Sequence, residues 1–219
     1  LDVIELTAKH HNDTAIHILS NGRRFSNQEF TRKYSAIDHF DKMVGIPIYS
    51  HDPKIHNYVV QAHNAFDETV SGILNLKKYK QKVEIRVVLH KETIGTLVEL
   101  AKFIRTNLLF VDHVALMGLE ITGFTRANLP LLWIDPAEYK DELAEAVEIL
   151  QKANMNTSIY NHPLCLVPER VRSAYKKSIS DWKNEYIKEC EGCRKVDECG
   201  GFFSSGVKHK HTTKVIPFN

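Results

Sequence analysis

The first 164 residues contain no cysteine. Disulfides and thiolate-bound metals are therefore excluded from most of the chain. No apolar run approaches the length of a membrane span, and no stretch has the order of a secretory signal. Net charge is nearly absent as well: 29 Lys and Arg against 27 Asp and Glu leave +2, which points to no polyanionic partner. Internal repeats and low-complexity linkers are missing, so solenoids and arrays are set aside.

What is present is an ordinary globular balance, 43% apolar and 26% charged over 219 residues. That suits one large domain, or a domain with an appendage. Apolar, β-rich runs occur at 15–20, 44–50, 83–89 and 112–117, with a weaker one at 157–160. Helical periodicity lies between most of them. Ile94, Leu97, Val98, Ala101 and Ile104 mark one apolar helix face, and Tyr139, Leu143, Ala146, Val147 and Leu150 another. Asp135, Pro136 and Glu138 read as the N-cap, N1 and N3 of that second helix. Phe66, Val70, Ile73 and Leu74 predict a third, and 1–9, 28–40 and 169–186 are further candidates. Alternating strands and helices predict an α/β fold with a parallel sheet, either an open doubly wound sheet or an arc of a barrel. In both, function gathers at the C-terminal ends of the strands.

All four cysteines fall in the last quarter: Cys165, then Cys190-x2-Cys193-x5-Cys199. Two thiolates two residues apart can bite one metal from a tight turn, and Gly192 eases the bend. Cys199 supplies a third ligand and Cys165 a fourth. Unliganded structural cysteines are the weaker reading, because a clustered CxxC is a fairly specific signal. The spacing leaves zinc and an iron–sulfur cubane equally open. Paired cysteines without an export signal predict a reducing, cytoplasmic setting.

The strand ends offer candidates, each with a plainer reading. Ser20-Asn21-Gly22 is either an active-edge turn or an ordinary one, and taken alone the ordinary turn is favoured. Ser50-His51-Asp52-Pro53 could bind a polar ligand or simply start a helix. Glu84 and Arg86 alternate with apolar residues in a strand, pointing into a barrel interior or out from an edge. Glu120, just past a strand, is a similar case. The twelve histidines are left unassigned to metal. The basic tail from Lys208 to Lys214 is too short to predict nucleic-acid binding.

Taken together, these runs resemble the radical S-adenosylmethionine (radical SAM) enzymes. The strand ending in LSNG resembles that superfamily's third strand, and IPIYSHDPKIHNYVVQAHNAF resembles its fourth strand and the stretch after it. VEIRVVLHKETI and VDHVALMGLEITGF are similar to the fifth and sixth strands. The C-terminal CxxCx5C with an upstream cysteine resembles a shortened SPASM or twitch appendage. More narrowly, SISDWKNEYIKECEGC followed by CGGFF is similar to the His-Xaa-Ser system peptide maturases. The superfamily's CxxxCxxC loop and GGEP motif are absent, and Phe203 stands where a SPASM core has a further cysteine.

The resemblance implies an incomplete (β/α) radical-SAM-type barrel over 1–161, its first two strands missing, and a Cys-rich auxiliary-cluster appendage with a basic tail over 162–219. It also implies that the chain is the C-terminal portion of a longer enzyme and is inactive alone. That enzyme would use S-adenosylmethionine and a second 4Fe–4S cluster to abstract hydrogen from a ribosomally made precursor peptide through a 5′-deoxyadenosyl radical. Cys165, Cys190, Cys193 and Cys199 would hold one auxiliary 4Fe–4S cluster. Asn21 and Ser50 would line the S-adenosylmethionine pocket. A companion maturation protein and an electron donor such as flavodoxin or ferredoxin are the implied partners, with no nucleic acid and no membrane. The rival expectation is an α/β module that binds a peptide or protein and is stabilised by a four-cysteine zinc site.

Overall fold

The computed structural model describes residues 1–177 and 184–219. In chain order these form α1 (Asp2–His10), β1 (Ile16–Leu19), α2 (Gln28–Ser35), β2 (Lys42–Pro47), α3 (Pro53–Val60), α4 (Ala65–Lys78) and β3 (Lys82–Leu89). There follow α5 (Lys91–Ile94), α6 (Leu97–Asn107), β4 (His113–Gly118), α7 (Phe124–Ala127), α8 (Leu129–Leu132), α9 (Lys140–Lys152) and β5 (Thr157–Tyr160). The C-terminal part carries β6 (Asn184–Glu185), β7 (Phe202–Phe203) and α10 (Ser204–His209). No helix is long and apolar enough to cross a membrane among the described residues.

The strands form a sheet in the order β1-β2-β3-β4-β5, with β1, β2 and β3 parallel. Each new strand joins the same edge, and the order never reverses. A doubly wound sheet reverses its strand order; this one does not.

Two compact units are distinguishable, Leu1–Val87 with Leu108–Val114, and Val88–Asn107 with Ala115–Asn219. In the first, Val44, Ile46 and Ile48 alternate along β2 and beyond, and Val83, Ile85 and Val87 do the same on β3; all are buried. Ile73 and Leu76 of α4 are buried too. α4 packs on the turn Arg23–Ser26 so closely that a Cβ at Gly72 would collide with the Gly22 carbonyl oxygen. Gly22 itself sits at φ 78°, where side chains are strained. In the second unit the apolar face of α6 packs on that of α9.

The sequence expectations for all five sheet strands hold within a few residues. Several helices differ. The 28–40 candidate stops at Ser35, where the buried Lys42 ammonium donates to the carbonyls of Tyr34 and Ile37 at 3.0 and 2.6 Å and so ends the helix. The helix expected from the face Ile94 to Ile104 is broken at Gly95 into α5 and α6. Asp135 caps a short 3₁₀ turn, Pro136–Glu138, and α9 begins only at Lys140. The helix expected over 169–186 is instead a 3₁₀ turn, Glu169–Ala174. It ends because Tyr175 bridges in parallel to Ile159, with the Lys176 amide donating to the Ile159 carbonyl at 2.9 Å. Residues 178–183 of that expected helix lie outside the described residues.

Two predictions follow from this packing. Gly72→Ala should destabilise the protein by about 1–3 kcal/mol through overpacking, although alanine is the better helix former by about 1 kcal/mol; an unchanged urea midpoint would show that α4 does not press on the Gly22 backbone. Burial also holds His56, His90 and His162 near 4, against an ordinary value of 6.5. Between those values the unfolded chain takes up protons that the native state refuses, so stability is full above 6.5 and falls as pH drops toward 4. A urea midpoint that stays level across that window contradicts this.

Candidate metal centre

The four cysteines come from two segments, Cys165 from one and Cys190, Cys193 and Cys199 from the other. β5 ends at Tyr160, and Asn161 follows at φ 61°. The next residue, His162, is fully buried: its Nδ1–H donates to the Tyr160 carbonyl at 2.8 Å, and its Nε2 accepts from the Tyr139 hydroxyl at 3.0 Å. This pair of bonds fixes the ring and starts the 3₁₀ turn Leu164–Leu166 that carries Cys165. Burial keeps His162 neutral, as accepting at Nε2 requires.

Cys190 closes another 3₁₀ turn, Lys188–Cys190. Gly192 at φ 77° lets the chain reverse, and the Cys193 amide donates to the Cys190 carbonyl at 3.2 Å. The tight turn expected between these two cysteines is therefore present. Two further turns lead to Cys199, whose carbonyl accepts from the Tyr186 hydroxyl at 2.6 Å. Next to it, the Gly200 amide donates to the Tyr175 hydroxyl at 2.6 Å. Tyrosines thus hold the last cysteine from two sides.

All four cysteines line one cavity, together with apolar side chains that include Val196, Phe202, Val215 and Phe218. Backbone amides point at the sulfurs: Leu164 and Gly201 donate to Cys199 Sγ at 3.3 Å each, and Phe218 to Cys193 Sγ at 3.4 Å. Burial pushes the Cys165 thiol up, the Ile216 amide pulls it down, and Cys199 and Cys190 push it up again. Burial likewise raises Cys190, aided by Cys199 and Cys193. Cys165 and Cys190 are therefore held toward the neutral thiol unless a cation compensates.

Among the described residues, no three His, Cys, Asp or Glu side chains stand as a ready site for one metal ion. A zinc ion needs four sulfurs at about 2.3 Å from one centre, whereas a cubane takes each thiolate on a different iron. Amide donors on the sulfurs would stabilise thiolate charge with either metal group and would tune a cluster's potential.

The other expected site residues lie in the first unit, at the ends of adjacent strands. Asn21 is exposed past β1; its Oδ1 accepts from the Arg23 amide at 3.2 Å and its carbonyl from the Thr69 hydroxyl at 3.2 Å. Ser50 is buried past β2, and its hydroxyl accepts from the Asp52 amide at 3.1 Å. Asp52 then caps α3 by accepting from the Lys54 amide at 2.8 Å, so the helix-start reading of this cluster is correct.

One polar group was only half legible. Glu84 is buried on β3, and its carboxylate meets His113 Nδ1 at 2.6 Å, His17 Nε2 at 3.5 Å and Arg86 Nη1 at 3.6 Å. Burial works against its charge, yet the His113 hydrogen bond and the nearby His17 and Arg86 hold the carboxyl below its ordinary value. Gly45 makes the cluster possible: a Cβ there would fall 2.9 Å from His17 Nε2. Glu84 and Arg86 stood out in the sequence as charges in a strand. Their histidine partners did not, since only strand register brings His17 and His113 to them. The amides of Leu164, Gly201 and Phe218 carried no sequence signal at all.

No protein-family profile matches the chain, and no curated protein matches it. Solved structures do. SuiB of Streptococcus suis, bound to its precursor peptide SuiA, is similar at a TM-score of 0.50 and 13% identity over 74% of this chain. SuiB bound to S-adenosylmethionine scores 0.49 at 16% identity over 72%, and a radical SAM methyltransferase from Sphaerobacter thermophilus 0.47 at 13% over 67%. The chain spans 41%, 42% and 40% of the lengths of these three structures. At such identities the likeness concerns the fold, and it is the SuiA-bound structure that carries it: this chain shares the α/β fold of part of SuiB.

Proposed function

We propose that this chain supplies the later strands and the auxiliary-cluster appendage of a radical S-adenosylmethionine enzyme that modifies a ribosomally made peptide. One observation carries the reading: four thiols from two distant segments line a single cavity, in a chain whose sheet shares the fold of SuiB, a protein captured with a precursor peptide. The finer assignment, to maturases of His-Xaa-Ser peptides, rests on the C-terminal sequence run.

Cys165, Cys190, Cys193 and Cys199 would hold a 4Fe–4S cluster. When bound, it would supply a one-electron acceptor or donor close to the peptide chemistry. Four cysteine ligands leave no open iron, which favours electron transfer or structural support over substrate ligation. The chain's own part is to position: His162 pins the Cys165 loop, Tyr186 and Tyr175 hold the Cys199 loop, and apolar side chains shield the cavity from water. Asn21 and Ser50, at strand ends where such folds bind ligands, are assigned to the S-adenosylmethionine pocket.

Metal analysis after anaerobic purification and reconstitution tests the cluster. The expectation is a brown protein with about four iron and four sulfide per chain, reduced to background by Cys→Ala at any of the four positions. A colourless protein carrying one zinc, unchanged by reconstitution, would establish the zinc-stabilised binding module instead. Retention of iron by Cys165→Ala would refute this ligand set.

For the pocket, Asn21→Ala and Ser50→Ala are made in the protein joined to a CxxxCxxC-bearing barrel portion. Each should weaken S-adenosylmethionine binding by about tenfold, the worth of roughly 1.4 kcal/mol. Unchanged affinity in both variants by calorimetry removes them from the pocket.

A further inference from the structure

A second cavity adjoins the cysteine cavity, with a volume of about 510 Å³. Arg172, Lys176, Lys177 and Lys195 line it, with Tyr175 and Phe218 among the aromatic walls. Its acid is Glu198, which Lys195 already neutralises at 2.6 Å. The other three cations meet no carboxylate among the described residues. Arg172 donates to the Val167 carbonyl at 3.1 Å and stacks over the Phe218 ring at 4.8 Å. The Lys177 ammonium donates to the Asp197 backbone carbonyl at 3.3 Å, and Lys176 is exposed. The positive charge is thus held toward a concave space without an internal counter-charge.

We infer that this cavity binds an acidic segment of a peptide, its carboxylates meeting Arg172, Lys176 and Lys177. The volume falls within the range of ligand pockets, about 300–1,000 Å³. It is a space for side chains, not a flat face for a folded partner. Aromatic and aliphatic walls beside the cations suit a peptide, which brings apolar atoms along with its charges. Duplex nucleic acid is disfavoured, because such binders typically neutralise on the order of 6–10 phosphates.

The position is informative. Lys195 and Phe218 line both cavities, and the Phe218 amide donates to Cys193 Sγ. A peptide seated here lies one side-chain layer from the cysteines. The inference rests on the peptide-modifying reading for the identity of its partner, but its test needs no turnover.

The probe is a fluorescein-labelled peptide alternating Glu and Gly, compared with its Gln–Gly counterpart by fluorescence anisotropy on the intact chain. The Glu peptide should bind, and binding should weaken as salt rises, since exposed ion pairs are screened. The double variant Lys176→Gln, Lys177→Gln should bind it about tenfold more weakly, two exposed pairs being worth about 1–2 kcal/mol together. Unchanged circular dichroism and metal content confirm that the variant is folded. Equal binding of the Gln peptide, an unaffected double variant, or displacement by inorganic phosphate at the peptide's own concentration would each overturn the inference. A zinc-loaded chain that still binds the Glu peptide would sink the proposed chemistry and leave this site standing.

Discussion

The cysteine-bearing segment depends on hydrogen bonds that bring distant loops together. Its strands β6 and β7 are two residues each, and α10 has six. Elements this short cannot bury enough apolar surface to offset the entropy of ordering them. What holds them is a set of directed bonds: His162 between Tyr139 and Tyr160, Tyr175 to the Gly200 amide, Tyr186 to the Cys199 carbonyl, and backbone amides to sulfur. Several of these groups are buried, where an unmade hydrogen bond is costly, so each bond specifies a geometry strongly. The common cavity of the four thiols is the outcome.

The same logic, polar groups satisfied inside a scaffold, recurs in the first unit. Val44, Ile46, Val83 and Ile85 are buried on their strands, while Glu84 beside them is a charge kept ionised by His113, His17 and Arg86. Lys42 is likewise buried because it closes the end of α2 and stacks on Tyr34 at 4.2 Å. Neither residue contributes apolar area. Each stops an alternative: a longer helix in one case, an apolar sheet face in the other.

Much of the fold was legible in advance because the strands are apolar, β-branched and bounded by turn residues. The helices were less so, and for identifiable reasons. The end of α2 is decided by an ammonium seven residues beyond Ser35, which no local pattern reveals. The 169–186 stretch has helical composition, yet after a single 3₁₀ turn its backbone at Tyr175 and Lys176 turns to Ile159. Asp135 is a cap, as its sequence context says, but of the 3₁₀ turn that precedes the helix. In the first two cases a tertiary hydrogen bond outweighed propensities worth only tenths of a kcal/mol per residue.

By itself, the sequence determined that every cysteine lies in the last quarter of the chain, that the chain turns tightly between Cys190 and Cys193, and that strands alternate with helices. These are properties of composition and short-range spacing. Only the tertiary structure decided that Cys165 joins the other three, that amides face the sulfurs, that Glu84 has two histidine partners, and that a cationic cavity lies against the cysteines. Those facts depend on loop closure and strand register, which place residues tens of positions apart within bonding distance and leave no periodic trace along the chain.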